Sequence, residues 1–152
     1  MIFREAQLSD IPRLYTLRIS VKENRLSNLF LITVKDYENF LMYRGKGWVC
    51  EKDDQIRGFS IVDMEKNNVW ALFVQPEFEG RGIGQKLLHM LLESYFEQKQ
   101  ENIWLSTGPK TRAEEFYRKF GWEQVGRLPN GETRFELSVG DWTKLNRTGV
   151  NE

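Results

Sequence analysis

The residues most suited to chemistry are Glu79-Gly80-Arg81-Gly82-Ile83-Gly84, three glycines spaced two apart between an apolar run and a helical pattern. At such a junction unsatisfied backbone N–H groups and the positive end of a helix dipole make an anion site, and glycines let the chain bring its amides close to phosphate oxygens. Arg81 adds positive charge. A phosphorylated ligand fits this arrangement; a glycine-rich turn that merely packs strand on helix is the alternative. Spacing narrows the ligand, because G-x-G-x-G is neither the dinucleotide G-x-G-x-x-G nor the Walker G-x-x-x-x-G-K-S/T, so no nicotinamide or ATP site is expected. Cys50 is the only thiol and His89 the only imidazole, which excludes an intrachain disulfide and any zinc set built mainly from Cys and His. Cys50 reads as a small buried strand residue, and His89 as a packing or surface residue with no partner nearby in sequence.

The elements that must position this loop follow from periodicity. Ile2 to Ala6 suggests a strand, and Ser9-Asp10-Ile11-Pro12 opens a helix over about 10–23 with Ile11, Leu14, Leu17 and Val21 on one face. Thr33 caps a second helix carrying Tyr37, Phe40 and Leu41, which Gly45-Lys46-Gly47 stops. Trp48 to Glu51 and Gly58 to Met64 form a hairpin, followed by the nearly all-apolar run Val69 to Val74, expected at the centre of a sheet and covered on both faces. Beyond the glycines, Ile83, Leu87, Leu91 and Tyr95 line one face of a helix over about 82–98. Ile103 to Thr107 is a strand, Thr111-Arg112-Ala113-Glu114 a capping box opening a helix that ends near Gly121, and Pro129-Asn130-Gly131 a turn between two final strands. The order is that of an α/β (α+β) protein, and the strand–loop–helix–strand unit predicts a right-handed crossover between parallel strands.

Composition sets the frame. A chain of 152 residues with ten Phe, five Tyr and five Trp can hold one core without staples, so a single domain over 1–143 with a polar tail over 144–152 is expected. Twenty-two basic residues balance twenty-two acidic ones, which argues against a broad phosphate-binding face for nucleic acid. No stretch reaches the ~18 apolar residues of a membrane span, charged residues stand within the first five, and lone cysteine usage suits a reducing compartment. An untargeted cytoplasmic protein is expected.

Leu72-Phe73-Val74-Gln75-Pro76-Glu77-Phe78-Glu79-Gly80-Arg81-Gly82-Ile83-Gly84, followed by Leu87-Leu88, resembles the acyl-CoA signature of the GNAT superfamily of N-acyltransferases: strand, proline, Q/R-x-x-G-x-G/A, helix. Independently, Arg112 to Trp122 resembles the family's A-x-x-F-Y-x-x-x-G-F/W segment. The resemblance covers about residues 2–140 and implies a GNAT-like fold, a central mixed twisted sheet of about seven strands flanked by about four helices. It implies acetyl-CoA as acyl donor and an amine as acceptor. It also places the cofactor against Leu72, Phe73 and Val74 of a bulged strand, Glu79 to Gly84 and Gln85 of the loop and helix start, and Phe116 and Tyr117. Two positions depart from the pattern. Glu79 replaces the usual Gln or Arg, leaving diphosphate binding to backbone amides, and Lys110 replaces an Asn that touches the pantetheine arm, for which Ser106, Thr107 or Thr111 could substitute.

Amine acylation from a thioester needs a neutral amine, a polarised carbonyl and a proton for the thiolate, whose reference pKa is ~8.5 by analogy with cysteine. The resemblance gives the carbonyl to the Val74 backbone N–H and the proton to Tyr117. Glu23 is the candidate base, with a water relay or direct capture of the neutral amine as alternatives. A non-catalytic acyl-CoA sensor is the rival reading. Leu29-Phe30-Leu31-Ile32 is an apolar run that could join a second copy in a homodimer or be buried locally.

Overall fold

A computed structural model describes residues 1–20 and 32–147. Strand β1 (Ile2–Glu5) and a 3-10 turn (Leu8–Asp10) lead into α1 (Ile11–Ser20). After α2 (Val34–Asn39) comes a π-helical turn (Phe40–Arg44), then β2 (Gly45–Lys52), β3 (Gln55–Asp63) and β4 (Asn68–Val74). Another 3-10 turn (Pro76–Phe78) precedes α3 (Ile83–Gln98), β5 (Ile103–Thr107), α4 (Arg112–Lys119), β6 (Glu123–Arg127), β7 (Thr133–Leu137) and α5 (Val139–Arg147). One seven-stranded sheet has the order β1-β2-β3-β4-β5-β7-β6. Only β4 and β5 run parallel, joined by the crossover through α3.

Two apolar clusters cover the sheet. On one face Leu14, Leu17 and Tyr37 of α1 and α2 meet Phe59, Ile61, Ala71 and Phe73; on the other Leu87, Leu91 and Tyr95 of α3 meet Leu105, Phe135 and Tyr117. Each such large side chain, fully enclosed, contributes about 1.5–3 kcal/mol of transfer free energy. The α3 stripe repeats at three- and four-residue intervals, which fixes the helix's rotation and therefore the direction in which its first turn points.

Several expectations change. Gly45 ends the helical segment as foreseen, but it and Gly47 are themselves strand residues; a Cβ on Gly45 would lie 1.7 Å from the Val62 carbonyl oxygen, so β3 comes too close for a side chain. Strand β4 is central, yet its residues alternate between buried and half-buried, because Leu72 and Val74 face a cavity rather than a helix. Thr111 caps α4, accepting from the Glu114 N–H at 3.2 Å, but the return half of the capping box is missing. The Glu114 carboxylate instead accepts from the Thr133 hydroxyl at 2.7 Å and from Arg118 at 3.1 Å. Lastly, the start of the expected polar tail is helical through Arg147, so that five α-helices flank the sheet among the described residues. Trp142 of α5 is buried against His89 and Phe96, and Leu145 covers Gly121.

Candidate active site

The site begins with a defect in β4. Its pairing with β3 shifts register between Ile61 and Val62, so β4 carries one extra residue at Trp70. Side-chain facing agrees: Val69 packs on the α3 side, Trp70 and Ala71 both on the α1–α2 side, and Leu72 on the α3 side again. Two successive residues on one face mark a β-bulge, which bends the strand. Beyond it β4 leaves β5. The two strands are in register only at Asn68 and Trp104, where Trp104 N–H donates to the Asn67 carbonyl at 2.9 Å and the Asn68 amide to the Trp104 carbonyl at 3.1 Å.

This splay leaves β4 with unpaired backbone groups. Gln75 donates its N–H to the Arg57 carbonyl on the β3 side at 2.7 Å. Since N–H groups alternate sides along a strand, the Val74 N–H points the other way, into the gap. A donor there can polarise a carbonyl.

The glycine loop closes the far end. Gly80 and Gly82 have φ of 78° and 81°, a left-handed conformation that side chains with a Cβ enter at a cost of about 1–2 kcal/mol. A Cβ at either would meet nothing within 4 Å, so backbone conformation, not crowding, requires glycine there. Gly82 is the N-cap of α3 and supplies no side-chain cap, which leaves the first-turn N–H groups of a sixteen-residue helix open to a ligand. Gly84 differs: its Cβ position lies 3.5 Å from Val74 Cγ2 and 3.9 Å from Phe116 Cζ, ordinary contact distances at the point where α3, β4 and α4 meet.

Between these elements lies a cavity of about 470 Å³, within the usual range for a small-molecule or cofactor site. Leu72, Phe73, Val74, Glu79, Gly80, Gly82, Ile83, Gly84, Gln85, Phe116 and Tyr117 all line it. Arg81 and Thr107 do not: Arg81 lies over the Phe78 ring, and Thr107 is buried opposite Thr133 in the β5–β7 ladder. Ser106 donates to Glu132 at 2.9 Å and Thr111 to the Gly108 carbonyl at 2.8 Å; neither lines the cavity. Glu23 and residues 29–31 lie outside the described residues, while Ile32 packs on the α1–α2 cluster. Sequence reading missed Phe78, Arg112, Ala113, Glu115, Lys119 and Phe120 on the lining. All but Phe78 belong to the same face of α4, or its end, as Phe116, at intervals of three, four and seven residues, a signal that helical periodicity carries.

Tyr117 is buried, with ring centroids of Phe116, Trp122 and Phe135 5.3, 5.6 and 6.0 Å away. Burial pushes its phenol well above the ordinary value, so it stays neutral and keeps its O–H available to donate. Glu79 is paired with Arg112 at 3.4 Å, so the acid in the loop meets a cation from the start of α4. Cys50 is buried and its thiol is pushed up by desolvation, as suits an inert residue. His89 sits under α5, its ring 5.2 Å from Trp142 and its Nε2 3.7 Å from Glu93. No helix among the described residues is long and apolar enough to cross a membrane.

An uncapped helix start, a splayed parallel strand pair and a buried phenol thus meet around one cavity. The family model of the acetyltransferase (GNAT) domain matches residues 43–124, and the chain belongs to that family. It is an acyltransferase of the N-acetyltransferase class. Over 150 residues, 93% of this chain and 96% of the relative, it is 26% identical to the peptidyl-lysine N-acetyltransferase YiaC of Escherichia coli strain K12. Its fold matches the PaiA N-acetyltransferase of Thermoplasma acidophilum, solved in complex with coenzyme A, with a TM-score of 0.78 at 16% identity over 91% of this chain and 98% of that one. The ribosomal-protein-alanine N-acetyltransferase of Brucella melitensis matches at a TM-score of 0.73 and 21% identity, over 91% and 100%.

Proposed function

We propose that this enzyme transfers the acetyl group of acetyl-CoA directly to a primary amine, with a protein lysine or amino terminus as the favoured acceptor. The carrying observation is the junction itself: uncapped amides at the start of α3, reached through left-handed Gly80 and Gly82, adjoin the cavity that Leu72 and Val74 of β4 and Phe116 of α4 line. The residues fit the group. Diphosphate suits the loop amides and helix dipole, and Leu72, Val74 and Phe116 offer an apolar channel for a pantetheine arm. When bound, acetyl-CoA would supply an activated thioester. The Val74 N–H is the donor for its carbonyl oxygen, and Tyr117 the hydrogen-bond donor for sulfur. The enzyme's own acylation is not required, since the one thiol, Cys50, is enclosed elsewhere. The protein acceptor rests on relatives that act on a peptidyl lysine and a ribosomal-protein alanine.

Calorimetric titration of acetyl-CoA tests this reading, with Gly84→Glu as the blocked variant. Gly82 is unsuited because any side chain there is strained, whereas a Cβ at Gly84 makes ordinary contacts and an acid in a first helical turn is favourable. Wild type should bind and Gly84→Glu should not, with the two melting within a few degrees of each other. Lysine and amino-terminal peptides should then release thiol when mixed with enzyme and acetyl-CoA. Absence of wild-type binding would overturn the proposal.

A further inference from the structure

Beside the cavity, three cations converge on one aromatic ring. The centroid of Phe78, which lines the cavity, lies 4.4 Å from Arg57 Cζ, 4.7 Å from Arg81 Cζ and 5.8 Å from Lys52 Nζ. Lys52 ends β2, Arg57 stands early in β3 and Arg81 belongs to the glycine loop, so three separate segments bring their charges together. Arg57 is held in place, donating Nη1 to Gln75 Oε1 at 2.9 Å and Nε to the Lys52 carbonyl at 3.3 Å.

Three of the neighbouring carboxylates are engaged elsewhere, while Asp53 and Asp54, in the turn that follows Lys52, make no ion pair with the cluster among the described residues. Glu51 pairs with Arg4, Glu79 with Arg112, and Glu77 accepts from the Gln75 amide at 2.7 Å. None of the three cations forms an ion pair among the described residues. A ring face attracts an exposed cation only weakly, which leaves the mutual repulsion of three like charges only partly relieved. The cluster therefore has no ion-pair partner among the described residues and can receive an anion from a ligand.

We infer that Lys52, Arg57 and Arg81 receive the ribose 3′-phosphate of coenzyme A and make the enzyme selective for the 3′-phosphorylated cofactor. The inference rests on the acyl-CoA reading of the cavity. In that ligand the 3′-phosphate sits on the ribose whose 5′-oxygen carries the diphosphate. A cofactor anchored by its diphosphate on the amides around Gly82 thus holds its third phosphate within one sugar's length of the loop. Arg81 lies in that loop with its guanidinium over the Phe78 ring, where this third anion would be met. Charge-assisted contacts to a phosphate are among the stronger ones at a protein surface.

The test compares coenzyme A with 3′-dephospho-coenzyme A by calorimetry at one low ionic strength, on wild type and on the Lys52→Gln/Arg81→Gln variant; Arg57 is kept because it also fixes Gln75. Wild type should favour coenzyme A by about tenfold or more. In the variant the ratio should fall to within about threefold. Arg81→Gln alone should give an intermediate ratio. Equal wild-type affinities would overturn the inference while leaving the acyl-CoA reading intact, as would a ratio retained in the double variant, which would place the phosphate elsewhere. If wild type binds neither compound, the acyl-CoA reading itself fails.

Discussion

A phenol enclosed like that of Tyr117 is a poor acid and a good hydrogen-bond donor. Its pKa is raised by burial, so full transfer of its proton to a thiolate with a reference pKa of ~8.5 runs uphill. Stabilising the developing charge by a neutral O–H hydrogen bond does not. The proton that finally rests on sulfur is balanced by the one the amine sheds on becoming an amide. Tyr117→Phe keeps the ring against Phe116, Trp122 and Phe135 and removes only the O–H; kcat should fall by about 10²-fold, with KM for acetyl-CoA within about threefold. An unchanged kcat would remove Tyr117 from the reaction. Glu79 invites a second substitution. Its carboxylate stands by the diphosphate cradle and occupies Arg112, so Glu79→Gln removes a like charge and releases a cation. Coenzyme A affinity should rise by about three- to tenfold at low salt and by less at 0.5 M, because both groups are solvent-accessible and screened. Weaker binding in calorimetry would mean that the Glu79–Arg112 pair shapes the loop instead.

At the scale of elements, the loop between β5 and α4 holds a related oddity. Lys110 has φ of 60°, a conformation in which Asn is far better tolerated than Lys. Lys110→Asn should raise stability by up to about 1 kcal/mol, read from urea unfolding, without altering the loop; a loss of stability would show that the Lys110 side chain contributes more than its backbone costs. What the sequence revealed divides along the same line of locality. The glycine loop, α3 and the Tyr117 helix were legible because strand, turn and helical stripe lie next to one another in the chain. A bulge in β4 was expected only through family resemblance, and there near Val74 rather than at Trp70, since one extra residue in an apolar run leaves no period to read. Glu114 suggested a capping box, but Thr133, nineteen residues on, competes for its carboxylate. Lys52 and Arg57 escaped notice because Phe78 joins them from across β3. Helix α5 was masked by its polar composition, with only Trp142 and Leu145 to anchor it.

Titration ties these pieces to the stability of the whole molecule. Tyr37, Tyr95 and Tyr117 are buried phenols distributed over both faces of the sheet, and desolvation raises all three, Tyr95 to about 12. In an unfolded chain they ionise near ~10. Above that pH the unfolded state releases protons that the native state keeps, so stability is complete below pH ~10 and falls as pH rises through the native values. Asp10 and Glu114 have the opposite sign. A hydrogen bond from Arg4 holds Asp10 below the ordinary carboxylate range, opposed by burial and helped by the Gln7 N–H. The Thr133 hydroxyl does the same for Glu114, followed by Arg118 and the Lys110 N–H. Their contribution is present above pH ~4 and is lost as pH falls through the lowered native values. Urea unfolding across pH should therefore show a plateau between about 5 and 9.5, bounded by an acid loss and an alkaline one. Tyr117→Phe provides the internal control, because it deletes one alkaline titration and leaves the acid limb alone. Its alkaline slope should be shallower than that of wild type, by at most about 1.4 kcal/mol per pH unit. An identical slope would mean that the Tyr117 phenol ionises in the native protein as it does in the unfolded chain, and the argument from its raised pKa against full proton transfer would fall with it.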